Sequence, residues 1–452
     1  MARNFINLDV NPCKMCMPMG AAIAFKGIEK SILMMHGSQG CSTYMRRHMA
    51  THYNEPVDIA SSSLTEQGTV YGGENNLKKG LRNTIQLYQP KVIGVVTTCL
   101  AETIGEDIDR LINEFVAEEE IAKDITFIPV ATPGYGGTEY EGYYLSLRKM
   151  VERLAEEGSN DKVNIIAGNL TPAEIRRIKE ILESFSISYN LLPDISKTLD
   201  APYSKDYQKL PDGGTTIEEI KSMGGAKATI ELGALLDEKI SAGQFLEDEF
   251  RIPLYRVALP IGLANVDKFI NALSKVTGAK PDPKLTEARG RMLDAMVDSH
   301  KYNAQGRAAI FGQPELVYSI ATLCLENGLV PALLATGAKT SKLEELLKKD
   351  FGLAVEDTVI IDDTDFDTIR DYVNKLDVNI LIGHSDGKFI TERDGIPLVR
   401  VGFPIHDRVG GQRKVTIGYD GSVNFLDEIT NTLLDRKYSS YREDMYDKHF
   451  TG

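Results

Sequence analysis

The sequence predicts an α/β protein built from three Rossmann-like domains with parallel sheets. Short apolar, β-branched runs alternate with longer segments of helical period, the pattern of layers in which helices cover parallel sheets. About a dozen such runs is too many strands for one ordinary open sheet. Many runs also end directly in Gly, Ser, Thr or Asp, as in His36-Gly37-Ser38-Gln39-Gly40, Ser61-Ser62-Ser63, Thr97-Thr98-Cys99, Thr132-Pro133-Gly134, Pro193-Asp194-Ile195-Ser196 and Gly383-His384-Ser385-Asp386-Gly387. Such turns open the crevice at the carboxyl ends of parallel strands, where ligands bind in open α/β sheets.

In chain order, the strand runs are Ser31–Met35, Val57–Ser61, Val92–Thr97 and Ile125–Ala131, then Val163–Ala167, Ser188–Leu192, Ala228–Leu232 and Leu254–Leu259. A third set follows at Ala308–Phe311, Val330–Ala335, Val359–Asp362, Val378–Ile382 and Leu398–Val401. Between them, apolar residues at helical spacing predict amphipathic helices over Ile104–Glu118, Leu145–Glu157, Pro172–Ser184, Val266–Thr277, Ser341–Lys349 and Phe366–Lys375. The polar run Glu156–Asp161 precedes a fresh strand, and the Pro- and Lys-rich Gly278–Glu287 precedes a new helix. These breaks divide the chain into expected domains 1–160, 161–285 and 286–452, the last with C-terminal helices. There is no repeat of solenoid period and no low-complexity segment.

The chain has 452 residues, 51 of them basic and 65 acidic, for a formal charge of -14. That balance argues against a nucleic-acid or anionic-membrane surface as the main partner. The N-terminus Met1–Asp9 lacks an apolar core of signal-peptide length, and no stretch approaches the roughly 20 apolar residues of a membrane span. A cytoplasmic protein is expected. The five cysteines are odd in number and too sparse for a disulfide framework in a chain of 452 residues.

Cysteine context then separates candidates. Cys13-Lys14-Met15-Cys16 is a C-x-x-C pair open to a metal or a redox reading, with no tryptophan or preceding core strand to favour a thioredoxin-like site. Cys41 follows a strand beside Gly37 and Gly40, whose missing side chains admit a bulky ligand. Cys99 closes the strand Val92–Thr97 and opens what reads as a helix, where the dipole favours the thiolate that metals bind. Spacing alone leaves Cys16, Cys41 and Cys99 as either small buried hydrophobes or ligands of a shared site. Cys324 lies in the apolar run Tyr318–Leu325 and is expected in the core.

The motifs Cys16-Met17-Pro18-Met19-Gly20-Ala21, His36-Gly37-Ser38-Gln39-Gly40-Cys41, Ser61-Ser62-Ser63-Leu64-Thr65-Glu66, Tyr71-Gly72-Gly73 and Thr97-Thr98-Cys99-Leu100-Ala101-Glu102-Thr103-Ile104-Gly105-Glu106-Asp107 resemble the β-type chain of nitrogenase component 1. The resemblance continues through Asp212-Gly213-Gly214-Thr215-Thr216, Arg289–Asp294 and Gly387-Lys388-Phe389 to Val401–Arg408, and so covers nearly the whole chain. It implies that Cys16, Cys41 and Cys99 hold half of an iron–sulfur cluster, of 8Fe-7S (P-cluster) type or a 4Fe-4S cubane, at the interface with an α-type subunit. It implies also that Cys13 is no ligand. Thiolates suit such clusters on softness grounds. An α2β2 heterotetramer served by an ATP-dependent iron–sulfur reductase is expected. No Gly-x-x-x-x-Gly-Lys-Ser/Thr stretch occurs in the chain, which assigns nucleotide hydrolysis to that partner.

Asp294 and Asp298 stand four apart on a segment of helical period, so they share a face and repel unless something offsets them. Arg291 or solvent would do so. The resemblance gives a second reading, in which Asp294, Asp298 and Glu55 bind a mononuclear metal where two β-type chains meet; oxygen ligands suit a hard cation or ferrous iron. Tyr44 and Ser38, close to Cys41, are candidate neighbours of the cluster.

Three relatives fit the motifs. First come nitrogenase-like reductases such as methylthio-alkane reductase, which act on carbon–sulfur bonds; then cofactor-assembly scaffold β chains, which often keep fewer of the cysteines; then a dinitrogen-reducing β chain. Cys16 comes almost at once, where nitrogenase β chains often carry a longer N-terminal extension. Gly134 stands where some members have a serine that assists the cluster.

Overall fold

The computed structural model describes residues 11–450; the reading of Met1–Asp9 lies outside them. All thirteen predicted strands form, and they assemble into three parallel sheets. The first has the order β2-β1-β3-β4, with β1 Ser31–His36, β2 Ile59–Ser61, β3 Val92–Thr97 and β4 Thr126–Val130. The second has the order β6-β5-β7-β8, with β5 Val163–Ile166, β6 Tyr189–Leu192, β7 Ala228–Leu232 and β8 Leu254–Val257. The third has the order β11-β10-β9-β12-β13, with β9 Arg307–Gly312, β10 Val330–Thr336, β11 Val359–Ile361, β12 Ile380–Gly383 and β13 Leu398–Arg400.

Central strands such as β1, β3 and β12 are buried along their whole length, which explains why they read as continuous apolar runs rather than alternating ones. In each sheet the chain winds outward from a pair of adjacent central strands, β1/β3, β5/β7 and β9/β12. The loops leaving such a pair diverge to opposite faces and open a crevice at the carboxyl edge.

Helix ends depart by more than three residues from the sequence reading in two places. The helix expected over Leu145–Glu157 begins at Glu139, because Thr138 and Glu141 form a reciprocal capping box, and ends at Leu154. The helix expected over Ile104–Glu118 begins only at Ile108, since Gly105 (φ +78°) takes the left-handed conformation after the short Cys99–Thr103 helix and Asp107 caps the longer one.

Helix α1 (Met17–Lys26) is buried throughout and crosses the Glu139–Leu154 helix at backbone contact. A Cβ on Gly20 would lie 2.5 Å from Tyr143 N, and one on Gly142 2.8 Å from the Met17 carbonyl carbon, so only glycine permits the approach. No helix among the described residues is long and apolar enough to cross a membrane.

Candidate metal-cluster site

The first sheet places three cysteines together at its carboxyl edge. Its central pair is β1/β3, and the loops leaving those strands carry Cys41 and Cys99. Cys41 lies in the first turn of α2 (Gln39–Tyr53), whose N-cap is Ser38; the Ser38 hydroxyl accepts from Gly40 N at 3.3 Å. Cys99 is the first residue of the Cys99–Thr103 helix, and Cys16 is the N-cap of α1. All three thiols therefore sit at helix N-termini, where the unpaired N–H groups favour negative charge.

Cross-links hold these turns in register. The Ser62 hydroxyl accepts from Gly37 N at 3.0 Å and lies 2.9 Å from Nδ1 of the buried His36. Thr98 N donates to the His36 carbonyl at 3.0 Å, joining the Cys41 and Cys99 loops. Thr132 donates from both N and Oγ1 to Thr97, which brings the Pro133-Gly134 turn after β4 against Cys99. Cys16 is placed by an antiparallel bridge to Thr138 and by Glu139, whose carboxylate accepts from Met15 N at 2.7 Å.

Gly134 closes the set. Its N–H donates to Cys99 Sγ at 3.1 Å, and a Cβ there would stand 3.3 Å from Cys99 Sγ and 3.6 Å from Cys16 Sγ. Cys16 and Cys99 are exposed and Cys41 is partly so, unlike the buried Cys13 and Cys324. Burial first, then the Cys99 and Cys41 charges, push the Cys16 thiol up; burial and Cys99 do the same to Cys41. Crowding that pushes up the Cys16 and Cys41 thiols at an open surface suits a group bringing compensating positive charge, and the donor chemistry fits an iron–sulfur cluster. Gly134→Val would drive γ-methyls into the space among the sulfurs. Iron per complex is expected to fall below half, whereas Gly134→Ala, whose Cβ at 3.3 Å from Cys99 Sγ asks that side chain to give only slightly, should retain most of it.

Cys13 faces away, its sulfur 3.9 Å from His384 Nε2, and burial first raises its thiol. Cys324 packs in the core from the Pro314–Glu326 helix, as the sequence predicts. Tyr44 is 47% exposed on α2, and the charges of both Cys16 and Asp386 reach it.

The carboxylates are not brought together within one chain. Asp294 and Asp298 are exposed on the Pro283–Asn303 helix, while the half-buried Glu55 accepts from Ala201 N at 2.9 Å. Arg291 reaches Glu287 and Asp420, each at 3.9 Å, rather than offsetting the two aspartates. Among the described residues no group of three His, Cys, Asp or Glu is arranged to hold a single metal ion.

Sequence reading missed Glu139 and the Gly20/Gly142 crossing. The pattern Thr138-x-x-Glu141 is a capping-box signature that would have located that helix start and with it Glu139. The glycine crossing carries no comparable local signal.

Residues 16–434 match the family described as nitrogenase component 1 type oxidoreductase. The chain is 34% identical to the nitrogenase molybdenum-iron protein beta chain of Clostridium pasteurianum over 95% of its length and 94% of that protein. It is 36% identical to the vanadium-iron beta chain of Trichormus variabilis, covering 96% of each. Among solved structures, one described as nitrogenase Cp1 at pH 6.5 superimposes with a TM-score of 0.92 at 34% identity, covering 96% of this chain and 95% of that one. A second, nitrogenase Cp1 at pH 5, has a TM-score of 0.73 at 16% identity over 97% and 92%, a likeness of fold alone. The chain belongs to the nitrogenase component 1 type oxidoreductases, as a β-type subunit of that family.

Proposed function

We propose that this subunit supplies half the ligands of an interface iron–sulfur cluster in a two-component reductase, with Cys16, Cys41 and Cys99 as the thiolates. The observation that carries the reading is that Cys16 and Cys99 flank Gly134 at an open surface, with Cys41 near enough for its charge to reach Cys16, while Cys13 and Cys324 are buried. An α-type subunit would complete the site in an α2β2 heterotetramer in the cytoplasm, with a separate ATP-dependent iron–sulfur reductase as electron donor. The bound cluster, of 8Fe-7S type or a cubane, would supply one-electron storage between that donor and a catalytic cofactor in the α-type subunit. This chain's own share is ligation, the Gly134 N–H to sulfur, and the helix N-termini that favour thiolate charge.

The test is iron and acid-labile sulfide in the complex purified anaerobically with its α-type partner. Cys41→Ala is expected to lose most of the cluster; unchanged content would sink the assignment.

The substrate reading separates by turnover. The names of the relatives support dinitrogen reduction no less than carbon–sulfur bond reduction of a methylthio-alkane. Supplying the reductase, ATP and either substrate decides between them, and absence of turnover on both with a loaded cluster favours an assembly scaffold. Glu55, Asp294 and Asp298 would form a mononuclear metal site only across two copies, and the exposure of Val297 (76%) beside the two aspartates leaves that helix face open to a second chain.

A further inference from the structure

His36 stands where the turns around the cysteines meet, and its ring has no part in ligation. It closes β1, five residues before Cys41, and is wholly buried. Its carbonyl accepts from Thr98 N, one residue before Cys99. The chain then continues into Gly37, which packs so closely on Thr98 that a Cβ there would run into that side chain. His36 and Gly37 thus carry the Cys41 turn and the Cys99 turn as one piece.

The imidazole is held from both sides. Nδ1 lies 2.9 Å from Ser62 Oγ, the same oxygen that accepts from Gly37 N at 3.0 Å. Nε2, buried without a well-formed hydrogen bond, faces Glu106 Oε2 at 3.5 Å. The other Glu106 oxygen accepts from Gly73 N at 2.5 Å, which fixes the carboxylate in turn. Gly73 closes over the ring: a Cβ there would stand 2.9 Å from His36 Cε1, so the ring cannot tilt toward it.

These surroundings decide which nitrogen carries the proton. Burial lowers His36 more than Glu106 raises it, so the ring is neutral and has a single N–H. With that proton on Nδ1, the Nε2 lone pair would face a carboxylate. The proton is therefore assigned to Nε2, toward Glu106, and Nδ1 accepts the Ser62 hydroxyl hydrogen. Ser62 Oγ keeps its lone pairs for Gly37 N. A directional chain then runs from Glu106 through His36 and Ser62 to the main chain of Gly37, four residues ahead of Cys41.

We propose that Glu106, His36 and Ser62 are positioning residues that set the reduction potential of the interface cluster, by fixing where the Cys41 and Cys99 sulfurs stand relative to one another. Groups that orient metal ligands and shape their surroundings tune a cluster without touching it. The Nδ1 bond to Ser62 is the working arm, because it reaches the Cys41 turn; Glu106 keeps the ring in the form that can accept it. The inference rests on the cluster assignment above.

The test is the midpoint potential and EPR spectrum of the cluster in the α-partnered complex, titrated with dithionite and mediators at one fixed pH, with iron counted on each sample. His36→Leu and Ser62→Ala remove no formal charge, so a shift in them reports position. Each should change the reduced-to-oxidised ratio at a given potential about tenfold, roughly 59 mV for a one-electron couple, with an altered spectrum, or lose iron outright. His36→Asn keeps an acceptor at the Nδ1 position and should stay close to the wild-type potential, spectrum and iron count. Should His36→Leu fail to assemble, Ser62→Ala and His36→Asn decide. Wild-type potential and spectrum at full iron in either His36→Leu or Ser62→Ala, even with a lowered melting temperature, leave these side chains a purely structural role and overturn the proposal. A His36→Asn complex as impaired as His36→Leu or Ser62→Ala overturns it too, and both results leave the ligand assignment standing. A wild-type complex without cluster iron overturns the assignment and the proposal with it.

Discussion

Gly20→Ala is expected to destabilise the protein by about 3 kcal/mol, at the upper end of ordinary overpacking costs, and to lower cluster iron as well. The new methyl would meet main-chain atoms of the Glu139–Leu154 helix, including Tyr143 N at 2.5 Å, and main chain cannot rotate away as a side chain can. The two helices would have to separate, although every residue of α1 is buried. Cys16 caps that helix, so its sulfur would leave the position near Gly134. Gly290→Ala is the control. Nothing lies within 4 Å of its added Cβ, and it sits inside a helix, so a gain of about 0.5–1 kcal/mol is expected there. Urea unfolding of both variants, with iron counts on the complexes, checks the pair.

Glu315→Ala should cost about 3–5 kcal/mol, because it strands buried donors that the carboxylate now satisfies. Glu315 starts from the third sheet's Pro314–Glu326 helix and accepts from Leu235 N at 2.7 Å, Ala234 N at 3.1 Å and Tyr140 OH at 3.1 Å. It thereby ties that helix to the loop after β7 and to the helix that positions Cys16. Burial pushes Glu315 up to about 7, from an ordinary 4.5. The folded state then binds a proton that the unfolded chain has released, so this group's contribution to stability falls as pH rises from about 4.5 to about 7. Glu315→Gln cannot ionise, and its stability relative to wild type should improve between pH 5 and pH 7.5. His52, pushed down to about 4 by burial, works in the opposite sense and loses its contribution as pH falls below 6.5. Melting temperatures of both proteins at the two pH values measure the difference; an unchanged gap would show that Glu315 keeps the same charge throughout.

Much of this architecture was legible because its signals are local. Buried parallel strands such as Val92–Thr97 are continuous apolar runs, and the turns after them carry Gly, Ser and Thr, so strand positions and the carboxyl edge could be read directly. Cys99 at a strand end and helix start was recognisable for the same reason. The start of the Glu139–Leu154 helix was misplaced because Tyr140, Tyr143 and Tyr144 bury their rings while bonding polar partners, which blurs the apolar periodicity.

From residues alone, the sequence determined the α/β class, the strands and the separation of Cys41 and Cys99 from the core residue Cys324; its motifs identified the family. Only tertiary structure decided that Cys16, more than eighty residues from Cys99, stands with it around Gly134 and that Glu139 grips the segment before Cys16. Periodicity and turn chemistry record what a residue does within its own element. Which loops meet depends on sheet order, on glycine-permitted helix crossings and on buried carboxylates linking distant main chain, and none of these leaves a mark on the residues nearby.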